Sequence, residues 1–177
     1  AKDSGAIAIL TDSKGLDLAS KSLGNFPILV VENPRSRIGY LADWFHNSPS
    51  RAIFLAGITG TNGKTTTSYL LKQIWEFAGE KAGLIGTIGI EIGEERFGTS
   101  HTTPEADQLH YILSIMQERK VCAAAIEVSS HALSLNRVDG AYFSAAAFTN
   151  LTQDHLDFHG DMENYYQAKK KLFDSMR

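Results

Sequence analysis

The stretch Ala52-Ile-Phe-Leu-Ala-Gly-Ile-Thr-Gly-Thr-Asn-Gly-Lys-Thr-Thr66 decides the fold of this chain. Its first part, 52–58, is a continuous apolar run, which predicts a strand buried on both faces of a parallel sheet. A glycine-rich segment follows and lets the backbone wrap closely around an anion. Lys64 and Thr65 then open a helical pattern. This order of strand, loop and helix predicts a phosphate-binding loop for a nucleotide, and ATP is the expected nucleotide.

Each part of this loop has a chemical role. Backbone N–H groups at a helix start bind phosphate, and the helix dipole adds to the attraction. We expect Lys64 to reach the outer phosphates and the Thr65 hydroxyl to ligate Mg²⁺. The spacing of the loop glycines is shifted from the usual phosphate-loop pattern. The residues expected to bind the nucleotide are Gly60, Thr61, Asn62, Gly63, Lys64, Thr65 and Thr66.

The composition favours a soluble globular protein. The chain has 177 residues, 43% of them hydrophobic, and a net charge of −3, so nucleic acid is not an expected partner. Neither a membrane span nor a signal peptide is predicted, and we expect a cytoplasmic monomer. The single cysteine, Cys122, lies in the apolar run 121–126 and is predicted to be a small core residue.

The chain reads as two successive α/β segments. Residues 4–10 and 26–32 predict buried strands, and a helix follows with Ile38, Leu41, Ala42 and Phe45 on one face. A turn-rich link at 46–50 precedes the phosphate loop. Both ends look cut, and the C-terminal end falls within a helical pattern, so we expect a fragment of a longer protein.

The second segment alternates strands and helices, which predicts a mainly parallel, doubly wound α/β sheet. The helix after the loop is expected to bury Leu70, Leu71, Ile74, Phe77 and Ala78, and to end at Gly79. Further strands are predicted at 82–90, around Phe97, at 121–128 and at 143–149. Thr103 is predicted to cap a helix that buries Leu109, Ile112, Leu113 and Met116, and Asp161 to cap the last helix.

Four ordered motifs carry a family resemblance. Gly60-Thr-Asn-Gly-Lys-Thr-Thr66 resembles the nucleotide loop of the Mur ligases, the ATP-dependent amide-bond ligases of cell-wall precursor synthesis. Three further motifs agree with it: His101-Thr-Thr-Pro-Glu105, Glu127-Val-Ser-Ser-His-Ala-Leu133, and the run from Thr149 to Gly160 with Asn164–Lys169 after it. They are similar to the branch that adds diaminopimelate or lysine to UDP-N-acetylmuramoyl-L-alanyl-D-glutamate.

The resemblance implies domain limits. Residues 1–48 would be the C-terminal part of an N-terminal UDP-sugar-binding domain. Residues 49–177 would be the first part of the central ATP-binding domain, of the phosphate-loop ATPase type.

The resemblance also assigns catalytic and metal-binding roles. Glu127, at the carboxyl end of a strand, would hold Mg²⁺ with Thr65, and His155 would hold a second Mg²⁺. Lys169 would be carbamylated and provide an anionic oxygen ligand, which needs an amine of depressed pKa. Without the family resemblance, Lys169 would be interpreted as one of three consecutive lysines on a solvated face. The spacing of His155 and His159 would also suit zinc, although no third ligand has a clear spacing.

Further positions are matched to the UDP-muramoyl-dipeptide substrate. These are His101, Thr102, Thr103, Ser129 and Arg137. Two positions depart from some members of the family: His101 replaces an asparagine and Leu135 a glutamine. Glu32-Asn-Pro-Arg35 resembles a diaminopimelate-recognition motif, but it precedes the phosphate loop, so we interpret it as a strand-to-helix turn.

Three functional hypotheses follow. The first is an ATP-dependent ligase that works through an acyl phosphate, with Lys64, Glu127, His155 and Lys169 as catalytic residues. The second is a nucleotide- or UDP-sugar-binding module without turnover. The third is another phosphate-loop enzyme, either a folylpolyglutamate-synthetase-like ligase or a nucleotidase unrelated to the cell wall. Folylpolyglutamate synthetases usually continue their loop with Gly-Lys-Gly-Ser, where this chain has Gly-Lys-Thr-Thr.

Overall fold

The computed structural model describes residues 2–176, apart from the side chain of Ser20. Its N-terminal part contains β1 (Ile9–Thr11), α1 (Ser13–Leu23), β2 (Ile28–Val30) and α2 (Arg35–Phe45). The two strands pair in parallel as a separate two-stranded sheet. A 3-10 turn at Pro49–Arg51 leads into the second part.

The second part is built on a six-stranded sheet. Its strands are β3 (Phe54–Thr59), β4 (Ala82–Gly86), β5 (Gly89–Ile92), β6 (Glu95–Phe97), β7 (Ala123–Glu127) and β8 (Ala145–Phe148). The order is β6-β5-β4-β7-β3-β8. Strands β4, β7, β3 and β8 pair in parallel, whereas β5 pairs antiparallel with both β4 and β6.

Helices cover both faces of this sheet. They are α3 (Lys64–Phe77), α4 (Ala106–Glu118), α5 (Ser130–Ser134), α6 (Leu156–His159) and α7 (Met162–Asp174). Leu109 and Met116 of α4 join Leu172 of α7 in the main core on one face. Leu71 and Trp75 of α3 pack on the other face. The predicted doubly wound α/β architecture is therefore confirmed.

The predicted burial of α3 is wrong for most of its residues. Leu71 packs on the sheet as expected, but Leu70, Ile74 and Phe77 are 51%, 60% and 97% exposed. The helix instead buries Ser68, whose hydroxyl donates to the Thr65 carbonyl, and Lys72. Lys72 reaches Glu76 at 2.7 Å and the buried Glu91 at 3.0 Å. Two polar residues that are satisfied by partners thus occupy positions that hydropathy assigns to solvent.

The N-terminal predictions need a similar correction. Only Ile9–Thr11 and Ile28–Val30 are strands, and they are not fully buried, because this sheet has only two strands. In α2 the expected apolar face is largely exposed, and Gly39 is the buried position. A Cβ on Gly39 would lie 2.1 Å from the Asp139 carbonyl oxygen, so this glycine allows α2 to approach the loop after α5 closely.

Three local predictions differ from the structure. The strand expected over 82–90 is a hairpin of β4 and β5, with Thr87 and Ile88 in the turn. Thr103 does not cap α4, whose N-cap is Glu105. Cys122 is exposed, whereas its neighbours Val121 and Ala123 are buried.

The C-terminal predictions mostly agree. Asp161 accepts from the backbone N–H of Asn164 and caps α7, as expected. The chain was expected to stop within a helix, but α7 ends at Asp174 and the described residues 175 and 176 are not helical. Arg177 lies outside the described residues. The turn expected at 32–35 is present between β2 and α2.

Candidate nucleotide and metal site

The glycine-rich loop joins β3 to α3, and its backbone needs glycine. Gly60 and Gly63 have φ of +137° and +87°, a region that L side chains rarely adopt. A Cβ at Gly60 would also lie 1.9 Å from the Thr149 hydroxyl oxygen. Because α3 begins at Lys64, the first N–H groups of the helix lack intrahelical acceptors and are available to an anion. The loop therefore has the geometry expected for phosphate binding.

Lys64 closes over this loop. Its Nζ donates to the carbonyl oxygens of Gly60 and Thr61, both at 2.9 Å. Burial lowers the pKa of Lys64, and the carboxylates of Glu127 and Asp154 partly oppose that shift. The ammonium group is thus held at the mouth of the loop, where the outer phosphates of a nucleotide would lie.

A second segment, Thr149–Thr152, braces the loop from the end of β8. Asn150 Nδ2 donates to the Asn62 carbonyl at 3.0 Å, and Asn150 Oδ1 accepts from the Asn62 N–H at 3.1 Å. The Asn150 carbonyl also accepts from the Thr61 N–H at 2.9 Å. This segment belongs to the motif at 149–160, but no local sequence pattern predicts that it holds the loop.

Glu127 is the fully buried carboxylate at the carboxyl end of β7. Its Oε2 accepts from the hydroxyls of Thr65 at 2.9 Å and Thr87 at 3.1 Å. Its Oε1 accepts from the backbone N–H of Thr87 at 2.9 Å. A Cβ on Gly86 would lie 2.1 Å from Oε1, so the carboxylate occupies space that only glycine leaves free. The predicted pairing of Thr65 with Glu127 is present, whereas Thr87 was not predicted.

Lys169 is buried, contrary to the solvated position that its lysine run suggests. Its Nζ donates to the Gly60 carbonyl at 2.9 Å and lies 4.3 Å from the centre of the Tyr165 ring. Burial, with the nearby Lys64 cation second, lowers the pKa of Lys169 to about 8, while Asp154 acts in the opposite direction. The amine therefore loses its proton far more readily than an ordinary lysine.

A histidine cluster lies near Tyr165. The ring centres of His131 and His155 are 4.7 Å apart, and His155 lies 6.3 Å from the Tyr165 ring. His159 Nε2 is 3.0 Å from the Ser130 hydroxyl. Burial and the neighbouring imidazoles lower the pKa of His131 and of His159.

No group of three His, Cys, Asp and Glu side chains within residues 2–176 is arranged to hold a metal ion, so the zinc interpretation finds no support in the described part. His155 has φ of +53° and is paired with Asp154 at 3.5 Å. Among the described residues, no hydrogen bond, ion pair or ring contact joins His155 to Thr65 or Glu127. The expected metal ligands therefore fall into two groups: Thr65 with Glu127, and His155 and Lys169, which each lie near the Tyr165 ring.

Hydrogen bonds link the expected substrate residues Thr102, Thr103 and Ser129 to Thr87 and Glu127. Thr102 contacts the Thr87 hydroxyl at 3.1 Å. The buried Thr103 hydroxyl donates to the Glu127 carbonyl at 2.8 Å and accepts from the Ser129 N–H at 3.1 Å. Thr103 therefore links the start of α4 to the end of β7, which explains why it does not cap the helix.

Arg137 and His101 are the two remaining expected substrate residues. Arg137 forms an ion pair with Glu105 at 2.8 Å, and its Nη1 donates to the Thr103 carbonyl at 3.3 Å. Glu105 also binds Arg35 of α2 at 2.9 Å, a contact that sequence analysis missed. His101 is exposed, and its Nδ1 lies 2.9 Å from the Ser100 hydroxyl.

The sheet, the loop and the strand-end carboxylate together define a phosphate-loop nucleotide-binding domain. The family model "Mur ligase middle domain" matches residues 58–177, which is more than half of the chain. The chain belongs to the Mur ligase family.

Individual relatives agree with this assignment. A UDP-N-acetylmuramoyl-L-alanyl-D-glutamate--2,6-diaminopimelate ligase from Streptomyces avermitilis is 48% identical over 173 residues, which cover 98% of this chain and 34% of that protein. The ligase of the same name from Corynebacterium glutamicum is 48% identical over 168 residues, covering 95% of this chain and 32% of that protein. The chain thus spans about a third of the length of these relatives.

Solved structures show the same fold. The structure of a UDP-N-acetylmuramoyl-L-alanyl-D-glutamate--2,6-diaminopimelate ligase matches with a TM-score of 0.81 and 31% identity, over 98% of this chain and 34% of that chain. A FolC structure from E. coli matches with a TM-score of 0.63 over 77% of this chain and 38% of that chain. At 19% identity, the latter likeness concerns the fold alone. In the described part of the chain, no helix combines the length and apolarity needed to cross a membrane.

Proposed function

We propose that this chain is the nucleotide-binding part of an ATP-dependent ligase that adds diaminopimelate to UDP-N-acetylmuramoyl-L-alanyl-D-glutamate. The observation that carries the proposal is the pairing of Thr65 with the buried Glu127 at the head of the phosphate loop. The names of the relatives supply the substrate and the amino acid.

The donor set at this position suits Mg²⁺. The oxygens of Thr65 and Glu127 are 2.9 Å apart. Adjacent ligands of an octahedral Mg²⁺ ion are separated by about 2.9 Å, because each Mg–O distance is about 2.0–2.1 Å. When bound there, Mg²⁺ would neutralise charge on the phosphates of ATP. Thr65 and Glu127 are the residues that would hold it.

Lys169 supports the proposal in a second way. Carbamylation needs an unprotonated amine that attacks CO₂, and the lowered pKa of Lys169 provides one near neutral pH. The product would be an anionic oxygen ligand beside Gly60 and Lys64. We propose that carbamylated Lys169 and His155, which both lie near the Tyr165 ring, would hold a second Mg²⁺.

The reaction transfers a phosphoryl group and then forms an amide. The γ-phosphoryl group of ATP moves to the substrate's glutamate carboxylate, so that an acyl phosphate and ADP form. The amine of diaminopimelate attacks the acyl carbon, loses a proton and releases phosphate. Lys64 would stabilise charge on the transferred group, and Arg137 would orient the substrate through an anionic group.

This proposal is tested by measuring phosphate release. The protein for this assay contains this chain together with the further regions that its relatives have. We expect release that requires ATP, Mg²⁺, UDP-N-acetylmuramoyl-L-alanyl-D-glutamate and diaminopimelate together. UDP-N-acetylglucosamine, which lacks the dipeptide, serves as the control substrate. Phosphate release that does not depend on the muramoyl dipeptide would favour a nucleotidase instead.

A second candidate concerns the chain by itself. Because it spans about a third of its relatives' length, it is a candidate binding module without turnover. Calorimetry with ATP–Mg²⁺ and a parallel phosphate-release assay on the 177-residue chain separate the two. Heat of binding without phosphate release would identify the binding module.

We also propose the organisation of the chain. Residues 1–48 would belong to a UDP-sugar-binding domain, and residues 49–177 to the central ATP-binding domain, in a monomeric cytoplasmic enzyme. The separate two-stranded sheet of β1 and β2 supports this boundary. Size-exclusion chromatography with light scattering would test the monomeric state.

A further inference from the structure

Thr87 lies between the proposed metal site and the proposed substrate site. It occupies the two-residue turn between β4 and β5, beside the end of β7. Its hydroxyl contacts Glu127 Oε2 at 3.1 Å and the Thr102 hydroxyl at 3.1 Å. Its backbone N–H fixes the other oxygen of Glu127 at 2.9 Å. One short side chain therefore touches residues to which sequence analysis gave two different roles.

The number of protons on these groups determines which one donates each hydrogen bond. An ionised carboxylate accepts hydrogen bonds and cannot donate, whereas a threonine hydroxyl has one proton and two lone pairs. The single proton of Thr87 must therefore point to Glu127. The contact between the two threonines is then made by the proton of Thr102, which points to Thr87.

This chain of hydroxyls determines what Thr102 offers to a ligand. Its proton is used by Thr87, so only oxygen lone pairs remain for a partner. Thr102 would then favour a substrate N–H or O–H group over a phosphate or carboxylate oxygen. UDP-N-acetylmuramoyl-L-alanyl-D-glutamate carries amide N–H and sugar O–H groups of this kind.

We propose that Thr87 is a positioning residue that joins the Glu127 carboxylate to Thr102, so that Thr102 presents a hydrogen-bond acceptor to an N–H or O–H group of the substrate. The proposal rests on the proposed function. It adds that nucleotide binding and substrate recognition share one hydrogen-bond chain. Charge-assisted hydrogen bonds such as that from Thr87 to Glu127 are the stronger kind, so loss of this hydroxyl should be measurable.

The matched pair of variants is Thr87→Val and Thr87→Ser. Valine keeps the shape and the backbone N–H but removes the hydroxyl, whereas serine keeps the hydroxyl. Ile88→Val, in the same turn and exposed, controls for disturbance of the hairpin. Calorimetry on the chain measures the Kd of a non-hydrolysable ATP analogue with Mg²⁺, and separately the Kd of UDP-N-acetylmuramoyl-L-alanyl-D-glutamate. Thermal melting of each variant reports whether it is folded.

We expect Thr87→Val to weaken both Kd values by roughly tenfold, the effect of one hydrogen bond to a charged group. Thr87→Ser and Ile88→Val should stay close to wild type in both. Unchanged affinities in a folded Thr87→Val would overturn the proposal, as would a change in only one of the two ligands. If the wild-type chain itself shows no Mg²⁺-dependent nucleotide binding, the proposed function fails first, and this inference fails with it.

Discussion

Lys169 shows how one residue's surroundings can reverse the chemistry that its sequence suggests. In sequence it is one of three consecutive lysines, which favours a solvated face. In the structure it is the buried member, held at the Gly60 carbonyl next to the Lys64 cation. Only the family resemblance indicated a special role, because burial by the inner face of α7 depends on tertiary packing that local pattern does not contain.

Carbamylation of Lys169 is a prediction at this scale. We expect the chain equilibrated with ¹³C-bicarbonate near pH 8 to show one side-chain carbamate signal by ¹³C NMR, distinct from that of the α-amine. Lys169→Arg should abolish the signal, because a guanidinium does not lose its proton. Lys170→Arg is the control, since Lys170 is exposed and paired with Asp174 at 2.7 Å. A signal that persists in Lys169→Arg would place the carbamate elsewhere.

The lowered pKa of Lys169 also predicts that the stability of the chain depends on pH. Its pKa is about 8 in the folded chain and 10.5 as an ordinary lysine. Between these values the unfolded chain binds more protons, so the free energy of unfolding should rise with pH from about 8 to 10.5.

Urea unfolding at several pH values in CO₂-free buffer measures this effect. Lys169→Met should remove this part of the rise, and the difference between the two proteins isolates it from other titrating groups. An identical pH profile in wild type and Lys169→Met would contradict a depressed pKa in the folded state.

At the scale of elements, the phosphate loop was predicted from sequence, but its support was not. The strand, glycines and helix start are local signals, so Ala52–Thr66 identified the loop. The bracing by Asn150 links residues 88 positions apart, which no local pattern reveals. The prediction of which face of α3 is buried was largely wrong for a related reason. Lys72 is buried with Glu91, a partner that lies on another element.

Asn150→Ala tests the brace. The variant loses both side-chain hydrogen bonds to Asn62, so the loop should fluctuate more. We expect faster hydrogen exchange at the amides of Thr61 and Asn62, and nucleotide affinity weaker by roughly tenfold. Gln153→Ala, at the exposed position directly after this segment, should behave as wild type. Unchanged exchange at both amides would show that the brace is not needed.

At the scale of the whole molecule, the doubly wound α/β class followed from the alternation of strands and helices. The contact between the two parts of the chain could not be predicted from the sequence. It depends on Gly39, which lets α2 approach Asp139, and on Arg35, which joins Glu105 and through it Arg137. These residues are far apart in sequence, and none has a distinctive local pattern.

Gly39→Ala tests how closely the two parts pack. In an exposed helix this change is stabilising by about 1 kcal/mol. Here the added Cβ would lie 2.1 Å from a backbone carbonyl oxygen, so we expect destabilisation and a lower Tm by calorimetry. Tyr40→Ala, at an exposed position of the same helix, should change Tm far less. A higher Tm for Gly39→Ala would mean that α2 does not pack against Asp139 in solution.

The most direct test of the metal-assisted nucleotide site is the Mg²⁺ dependence of nucleotide binding. Calorimetry with a non-hydrolysable ATP analogue compares wild type and Glu127→Gln, each with Mg²⁺ and with EDTA. We expect wild type to bind at least about tenfold more tightly with Mg²⁺, and Glu127→Gln to bind equally weakly in both conditions, because an amide is a poorer Mg²⁺ ligand than a carboxylate. Equal affinity of wild type with and without Mg²⁺, or full Mg²⁺ dependence in a folded Glu127→Gln, would contradict the account.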